Sequence, residues 1–273
     1  MNGIQLDIVP TAQDVHMAFA RWVANFIAGR NARGEPTRLI LPVGPTGGYP
    51  ILTDITNSEN ISWRNVQLVT MDEYLDRQGR PLKFDHPLSF TGFMKRFLTS
   101  IKAELRPRES AYVWPDPFEI DRVANFIDQI GGIDACLGGI GVHGHVAFNE
   151  PAISRFSQIS IEEFAASVTR VVPLAPETIV MNATRGNGGR FDNFPRLAVT
   201  LGMADLLSAA KIRLFCDGGA WQQEAVARAV AGDIEVAYPV TILQRHGDVS
   251  IVADQVSAME AVRRTSAPLS SLA

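Results

Sequence analysis

Short apolar runs alternate with longer amphipathic segments along most of this chain. Thr11 and Asp14 match a capping box, and the apolar side chains that follow fall on one helical face: Val15, Phe19, Trp22, Val23, Phe26 and Ile27. The same spacing predicts helices at 88–103, 117–130, 219–231 and 255–264. Short apolar runs predict strands at 39–41, 66–70, 135–137, 197–199, 212–215 and 249–252. This alternation predicts an α/β fold with a doubly wound, mostly parallel sheet and helices on both faces (Rossmann-like).

The predicted elements are expected to form one domain. The chain has 273 residues, shows no internal repeat and contains no Pro/Ser-rich linker long enough to divide it. We therefore predict a single α/β domain over 1–265. The residues at 266–273 are mostly small or polar, and a frayed tail is expected there.

Composition and charge narrow the classes of partner. The formal net charge is −4 and no long Lys/Arg stripe occurs, which argues against nucleic acid as a partner. No apolar run approaches the ~18 residues of a membrane span, and no basic, apolar leader is visible, so we expect a cytoplasmic protein without a membrane partner. Cys136 and Cys216 lie within apolar runs without metal-ligand spacing, which favours two buried, reduced thiols.

Three polar segments follow predicted strands. They are the glycine turn at 44–48, the acidic step at 72–74 and the loop at 141–150. Ligands of open α/β sheets bind beyond the carboxyl ends of the strands, so these segments are expected to meet at one rim. The third segment combines glycines with His143, His145 and Glu150, and histidine can move protons near neutral pH. We interpret it as an active-site loop.

Each of these residues also has a plainer interpretation. Asp72 alone could be a helix N-cap or a solvated turn residue. A single histidine such as His145 is more often a hydrogen-bonded structural residue, and Glu150 before Pro151 could simply close a loop. The glycines after Thr46 could form only a strand-to-helix turn.

Five sequence blocks follow one another along the chain: Pro-Thr-Gly-Gly-Tyr-Pro at 45–50, Met-Asp-Glu-Tyr at 71–74, Asp-His-Pro-Leu-Ser-Phe at 85–90, the glycine-histidine loop through Phe-Asn-Glu-Pro at 139–151, and Ala-Val-Thr-Leu-Gly at 198–202. In their order and spacing, these blocks resemble those of the glucosamine-6-phosphate deaminase/isomerase family. The Met-Asp-Glu-Tyr and Phe-Asn-Glu-Pro blocks distinguish this branch from the related 6-phosphogluconolactonases, which resemble the chain mainly in the glycine-histidine loop.

The resemblance implies an aldose–ketose isomerisation coupled to loss of ammonia, without metal or organic cofactor. By position, Asp72 matches the shuttle that moves a proton between two carbons, His145 the base that opens the sugar ring, and Glu150 a carboxylate that orients this histidine. The backbone of the two glycine turns is expected to approach the sugar or its phosphate, and the residues concerned are Thr46, Gly47, Gly48, Gly141 and Gly144.

The chain departs from the family pattern at three positions. His143 stands where the family carries an aspartate, and a cationic His143 would lower the pKa of His145, whereas an aspartate would raise it. Ile179 and Gln222 align with an arginine and a lysine that the family uses for phosphate. An alternative register makes Arg170 the predicted substrate-binding cation. Other candidate cations are Arg185, Arg190 and Lys211.

The sequence therefore predicts an atypical member of this family that acts on a small sugar, leading to ketose phosphate and ammonia. An epimer of glucosamine 6-phosphate, such as galactosamine 6-phosphate, is included as a substrate. Three alternatives stay open: a lactonase-type hydrolase in which His145 activates water, an isomerase of an unphosphorylated sugar, and a non-catalytic sugar-binding protein. A homo-oligomer is also compatible with the sequence.

Overall fold

The computed structural model describes residues 3–151 and 158–266. Ten strands occur within these ranges: β1 Gln5–Val9, β2 Thr37–Leu41, β3 Val66–Thr70, β4 Asp72–Leu75, β5 Tyr112–Val113, β6 Ala135–Gly138, β7 Arg170–Pro173, β8 Leu197–Thr200, β9 Ile212–Cys216 and β10 Val249–Asp254. The α-helices of the same ranges are α1 Ala12–Ala32, α2 Gly48–Ser58, α3 Phe90–Ser100, α4 Arg122–Ile130, α5 Ile161–Ala165, α6 Pro176–Gly186, α7 Met203–Leu207, α8 Gln223–Ala231 and α9 Gln255–Ser266. Short 3₁₀ turns lie at Glu109–Ala111, Gly219–Gln222 and Pro239–Arg245.

Seven strands form a parallel sheet in the order β1-β10-β9-β6-β2-β3-β5. Alternate residues of one strand enter different cores: Leu39 and Leu41 of β2 pack with α1, α2 and α3, whereas Ile40 packs with α4, α8 and α9. Both faces of the sheet are therefore covered by helices. The predicted fold class is confirmed.

A second, three-stranded antiparallel sheet lies beside the first, in the order β4-β8-β7. The strand predicted at 197–199 exists, but it belongs to this sheet, and its partners β4 and β7 were not predicted. One rung of the ladder pairs Asp72 with Thr200 and Thr200 with Arg170. Tyr74 anchors a third apolar cluster under this sheet, together with Phe148 and Phe194.

Helix starts follow the local capping groups. The capping box of Thr11 and Asp14 is present at α1, as predicted. α3 begins at Phe90 rather than 88, because the Ser89 hydroxyl accepts from the Gly92 amide. α4 begins at Arg122 rather than 117, because the preceding residues form a turn around Asp116.

The strand order places the functional region. β2 lies between β3 and β6, so the chain leaves β2 toward one side of the sheet and later returns on the other side. The loops after β2 and β6 diverge at this switch point and leave a crevice at the carboxyl ends of the strands. Among the described helices, none is both long and apolar enough to span a membrane. The domain limits stay a prediction, and 267–273 lie outside the described residues.

Candidate active site

A cleft of about 340 Å³ occupies this crevice. Segments that follow β2, β3, β6 and β9 line it together with one face of α6. The lining residues are Pro42, Val43, Gly44, Pro45, Thr46, Met71, Asp72, Tyr74, Leu88, Phe90, Gly139, Ile140, Gly141, Val142, His145, Ala147, Phe148, Thr178, Met181, Asn182, Arg185, Gly186, Phe194, Phe215, Asp217, Trp221 and Gln222. The predicted convergence of the three polar segments at one rim is therefore present.

Asp72 is a buried carboxyl group in the lining of this cleft. It lies at the first residue of β4, and only 7% of it is exposed. Burial, and secondarily the charge of Glu73, raises the pKa of Asp72 to about 8. An acid with this pKa can both take up and release a proton near neutral pH, which is the property that a carbon-to-carbon proton shuttle needs.

Glu73, the next residue of β4, raises the pKa of Asp72 by its charge, and the sequence alone gave it no role. One carboxylate oxygen accepts from the Tyr74 amide at 2.8 Å and the Phe90 amide at 3.0 Å. The other accepts from the Ser89 hydroxyl at 2.9 Å and the Thr91 amide at 2.8 Å. Glu73 thereby caps the amino end of α3, where a negative charge is favourable. The Ser89 cap signal before α3 was visible in the sequence, but the partner 16 residues away was not.

His145 lines the same cleft, and only 9% of this residue is exposed to solvent. Its ring packs so closely on Gly141 that a Cβ there would lie 1.9 Å from Nε2. Gly141 is thus required for the position of the imidazole. Burial lowers the pKa of His145 to about 3, and His143 adds to this effect in the expected direction. The imidazole is therefore neutral throughout the physiological range.

His143 and Glu150 lie behind His145 rather than in the cleft lining. The Nδ1 atoms of the two histidines are 3.2 Å apart, whereas His145 Nδ1 and Glu150 Oε1 are 4.0 Å apart. The direct hydrogen-bond partner of the His145 ring is therefore His143. Glu150, the predicted orienting carboxylate, is too far from the ring for a direct hydrogen bond. One nitrogen of each histidine and one oxygen of Glu150 lie within 4.8 Å of one another, a separation that could hold a metal ion.

Arg170 and Asn149 hold the histidine loop against the second sheet. The Asn149 amide donates to the carbonyls of Val146 at 3.0 Å and Leu201 at 2.9 Å, and its oxygen accepts from the Arg170 guanidinium at 2.9 Å. Arg170 does not belong to the cleft lining, so the structure does not bring this predicted substrate-binding residue to the cleft. Asn149 was not selected from the sequence, although it stands in the Phe-Asn-Glu-Pro block.

The predicted substrate-binding glycines occupy different places. Thr46 and Gly141 line the cleft, whereas Gly47, Gly48 and Gly144 do not. A Cβ at Gly47 would lie 2.3 Å from the His16 ring, and one at Gly48 would lie 2.5 Å from the Phe19 ring, so both are needed where α1 packs on α2. Gly144 has φ +76°, a left-handed conformation that turns the loop between the two histidines.

The two positions that align with family cations carry neutral side chains with other partners. Ile179 is 3% exposed and packs under the second sheet. Gln222 donates to the Ile140 carbonyl and accepts from the Gly218 amide, both at 2.6 Å, and thereby joins the loops after β6 and β9. Neither residue supplies a positive charge to the cleft.

Arg185 is the one lysine or arginine among the described residues that line the cleft. Its guanidinium lies 3.5 Å from an Asp217 oxygen and 5.1 Å from the centre of the Trp221 ring. Asp217 also contacts His16 at 2.8 Å. Of the other candidate cations, Lys211 pairs with Asp248 at 2.6 Å at the amino end of β9, on the opposite edge of the sheet.

The chain matches no family model, but individual proteins are similar over nearly its whole length. The glucosamine-6-phosphate deaminase of Rhodopirellula baltica is 33% identical over 94% of this chain and 96% of its own length. That of Phocaeicola vulgatus is 32% identical over 90% of each. A solved monomeric glucosamine-6-phosphate deaminase is 28% identical, with a TM-score of 0.79, over 94% of this chain and all of that one.

A solved 6-phosphogluconolactonase from Shewanella baltica shares the fold, with a TM-score of 0.65 and 15% identity over 93% of this chain and 98% of that one. Identity at this level supports the architecture alone. The solved deaminase matches the architecture more closely, with a TM-score of 0.79, and the two deaminases above 30% identity match the sequence. The chain therefore belongs to the glucosamine-6-phosphate deaminase family.

Proposed function

We propose that this protein converts an amino sugar 6-phosphate into the ketose phosphate and ammonia. The substrate is glucosamine 6-phosphate or an epimer such as galactosamine 6-phosphate. The observation that carries the proposal is that Asp72 and His145 line one cleft with pKa values displaced in opposite directions, one to about 8 and the other to about 3. The relatives named above support the same reaction class.

His145 has the state required of a ring-opening base. Its neutral imidazole can accept the proton of the anomeric hydroxyl while the ring oxygen is protonated, which yields the open-chain aldehyde. To act from Nε2, the ring must carry its own proton on Nδ1, and His143 Nδ1, at 3.2 Å, is in place to accept that hydrogen bond. His143 thus takes over a positioning role that an aspartate has in the family.

Asp72 has the properties of the proton shuttle. In its ionised form it removes the proton from C2, while the aldehyde oxygen takes a proton from the C2 ammonium group to give an enolamine. The carboxyl group then gives its proton to C1, so it ends as it began and leaves an iminium group at C2. Water hydrolyses this iminium group to the ketose and ammonia. Asp72 is only 7% exposed and shares the cleft lining with the apolar residues Met71 and Phe148, so few water molecules can reach the carboxylate and take its proton.

The phosphate is expected near Thr46 and Arg185. Thr46 lies in the turn before α2, where backbone amides and the helix dipole favour an anion. Arg185 adds a guanidinium, although Asp217 already pairs with it. This is a weaker dianion site than one with two unpaired cations, because charge-assisted hydrogen bonds are roughly twice as strong as neutral ones.

The shortage of positive charge near Arg185 favours a second candidate, an isomerase or deaminase of an amino sugar without phosphate. Ile179 and Gln222 remove two positive charges that a dianion would require, and Asp217 places a negative charge in the lining. A hydroxymethyl group would need no cation there. The two candidates differ in what binds near Arg185 and share the proton chemistry of Asp72 and His145.

One panel of substrates distinguishes these reactions. Purified full-length protein is incubated with glucosamine and galactosamine 6-phosphates, the free amino sugars and 6-phosphogluconolactone, while ammonia, ketose and acid are measured separately. Ammonia and ketose phosphate from an amino sugar phosphate support the proposal, and the Asp72→Asn variant should lose both products. Ammonia from a free amino sugar alone supports the second candidate.

Two outcomes would overturn the proposal. Acid formed from the lactone without any ammonia would indicate a hydrolase. No product from any compound, with a raised melting temperature in the presence of a sugar phosphate, would indicate a binding protein. Association into a homo-oligomer stays a prediction, and light scattering of the same preparation tests it.

A further inference from the structure

The cluster behind His145 has the composition of a metal site. Two imidazoles and one carboxylate, from His143, His145 and Glu150, are a common ligand set for zinc. Ligands of a tetrahedral zinc ion at about 2.0–2.2 Å from the metal lie about 3.3–3.5 Å from one another. The two Nδ1 atoms are already 3.2 Å apart, and the Glu150 oxygen, 4.0 Å from His145 Nδ1, needs only a small movement.

Two other polar atoms of the cluster, on His143 and Glu150, already have partners. The Nε2 atom of His143 lies 3.4 Å from the Thr178 hydroxyl, which leaves Nδ1 facing the cluster. The second oxygen of Glu150 accepts from the Ala175 amide at the start of α6. Such contacts orient metal ligands in proteins.

One oxygen of Glu150 has no such partner. Its Oε1 is buried and forms no hydrogen bond with any group of the described chain. The Thr178 hydroxyl is near the carboxylate and partly offsets the rise in the pKa of Glu150 that burial causes. A buried, unpaired carboxylate oxygen is costly and calls for a donor or a cation. This atom points to a ligand independently of the cluster's composition.

We infer that His143, His145 and Glu150 bind one divalent transition-metal ion of the zinc type. Nitrogen and carboxylate ligands in this number suit zinc, nickel and copper better than magnesium or calcium. The negative charge of Glu177 is close enough to His143 and Glu150 to raise the pKa of both, so it also favours a cation between them. His143 is only half-buried, so the cluster is not closed off from solvent.

Metal binding at this place inhibits the enzyme, a consequence that depends on the proposed function. An ion on His145 Nδ1 leaves the proton of the ring on Nε2. The imidazole then donates toward the cleft and can no longer accept the proton of the anomeric hydroxyl. The site is thus a metal-dependent off switch, in which His143 provides a second imidazole ligand.

Binding is tested directly with zinc and cobalt on the full-length, chelator-treated protein. Calorimetry with Zn²⁺ should give one site per chain, and Co²⁺ should give the visible spectrum of a tetrahedral, nitrogen-ligated ion. His143→Leu and Glu150→Gln should each weaken Zn²⁺ binding at least tenfold. The matched control is His86→Gln, which removes an exposed histidine outside the cluster and should leave binding unchanged.

The activity arm separates this inference from the proposed function. Zn²⁺ at the concentration that fills the site should abolish ammonia release by the wild-type protein, and a chelator should restore it. Equal Zn²⁺ affinity in His143→Leu and His86→Gln, with native melting temperatures for both, would overturn the metal site even if ammonia is produced. One tight site in a protein that releases no ammonia would uphold the metal site and reject the proposed function.

Discussion

The two sides of the cleft present their titratable groups in different ways. On one side, Asp72 is backed by Glu73, whose two oxygens accept four hydrogen bonds from the start of α3 and from Tyr74. On the other, His145 is backed by His143 and Glu150, and one Glu150 oxygen has no partner in the described chain. Both oxygens of the Glu73 carboxylate are therefore satisfied, and they fix Glu73 to the start of α3. The histidine side keeps an unused acceptor and is the side that can be regulated.

Replacing Asp72 tests the carboxylate side most severely. Asp72→Asn keeps the shape of the side chain but removes the proton shuttle, so we expect ammonia release to fall about 10²- to 10⁴-fold with little change in ligand affinity. Exchange of the C2 proton with deuterated solvent should fall equally. The matched control is Asp128→Asn on the exposed face of α4, which should behave as wild type. Undiminished exchange in Asp72→Asn would remove this residue from the mechanism.

Replacing Glu73 tests how much its four hydrogen bonds contribute to the free energy of unfolding. Glu73→Gln puts an amide donor against groups that also donate, and we expect the free energy of unfolding to fall by about 2–3 kcal/mol. Denaturant unfolding measures the change, and the exposed Glu109→Gln should have almost no effect. A change below about 0.5 kcal/mol in Glu73→Gln would show that the network is dispensable.

The pH profile compares the two sides in one measurement. Asp72 must be ionised to act and its pKa is about 8, so kcat/KM should rise about tenfold per pH unit below 8 and level off above it. His145 should add no step between pH 5 and 9, because its pKa of about 3 keeps it neutral. A step near pH 6.5 that His143→Asp displaces would assign a titrating histidine to the reaction instead.

The smallest expected effect concerns binding of the phosphate. Arg185 is half exposed and paired with Asp217, so Arg185→Gln should raise the KM for an amino sugar phosphate about three- to tenfold and leave that for a free amino sugar unchanged. Arg190→Gln, outside the cleft lining, is the control. Equal changes for both kinds of substrate would mean that Arg185 does not read the phosphate.

The sequence was informative where one strand end carries one reactive side chain. The apolar runs predicted β3 and β6, and the residues after them, Asp72 and the loop with His145, reach the same rim because parallel strands point the same way. Two strands of the second sheet escaped prediction because their sequences, Asp-Glu-Tyr-Leu in β4 and Arg-Val-Val-Pro in β7, are not continuous apolar runs.

Contacts between distant segments could not be read from spacing. The alternative register that made Arg170 a substrate-binding cation contained no information on Asn149, whose side-chain oxygen accepts a hydrogen bond from the Arg170 guanidinium. Likewise, the sequence suggested Glu150 as the partner of His145, but the turn at Gly144 brings the ring of His143 closer. Such choices depend on ångström-scale geometry that neighbouring loops determine.

The rung that joins Asp72, Thr200 and Arg170 limits how this protein can change in length. Since strand side chains alternate, a single residue inserted or deleted within β7 or β8 would turn every following side chain to the opposite face. The shuttle carboxylate and the arginine that steadies Asn149 would then lose their common neighbour together. Natural or engineered length variation should therefore be tolerated at the exposed residues 188–193 and rejected within the ladder itself.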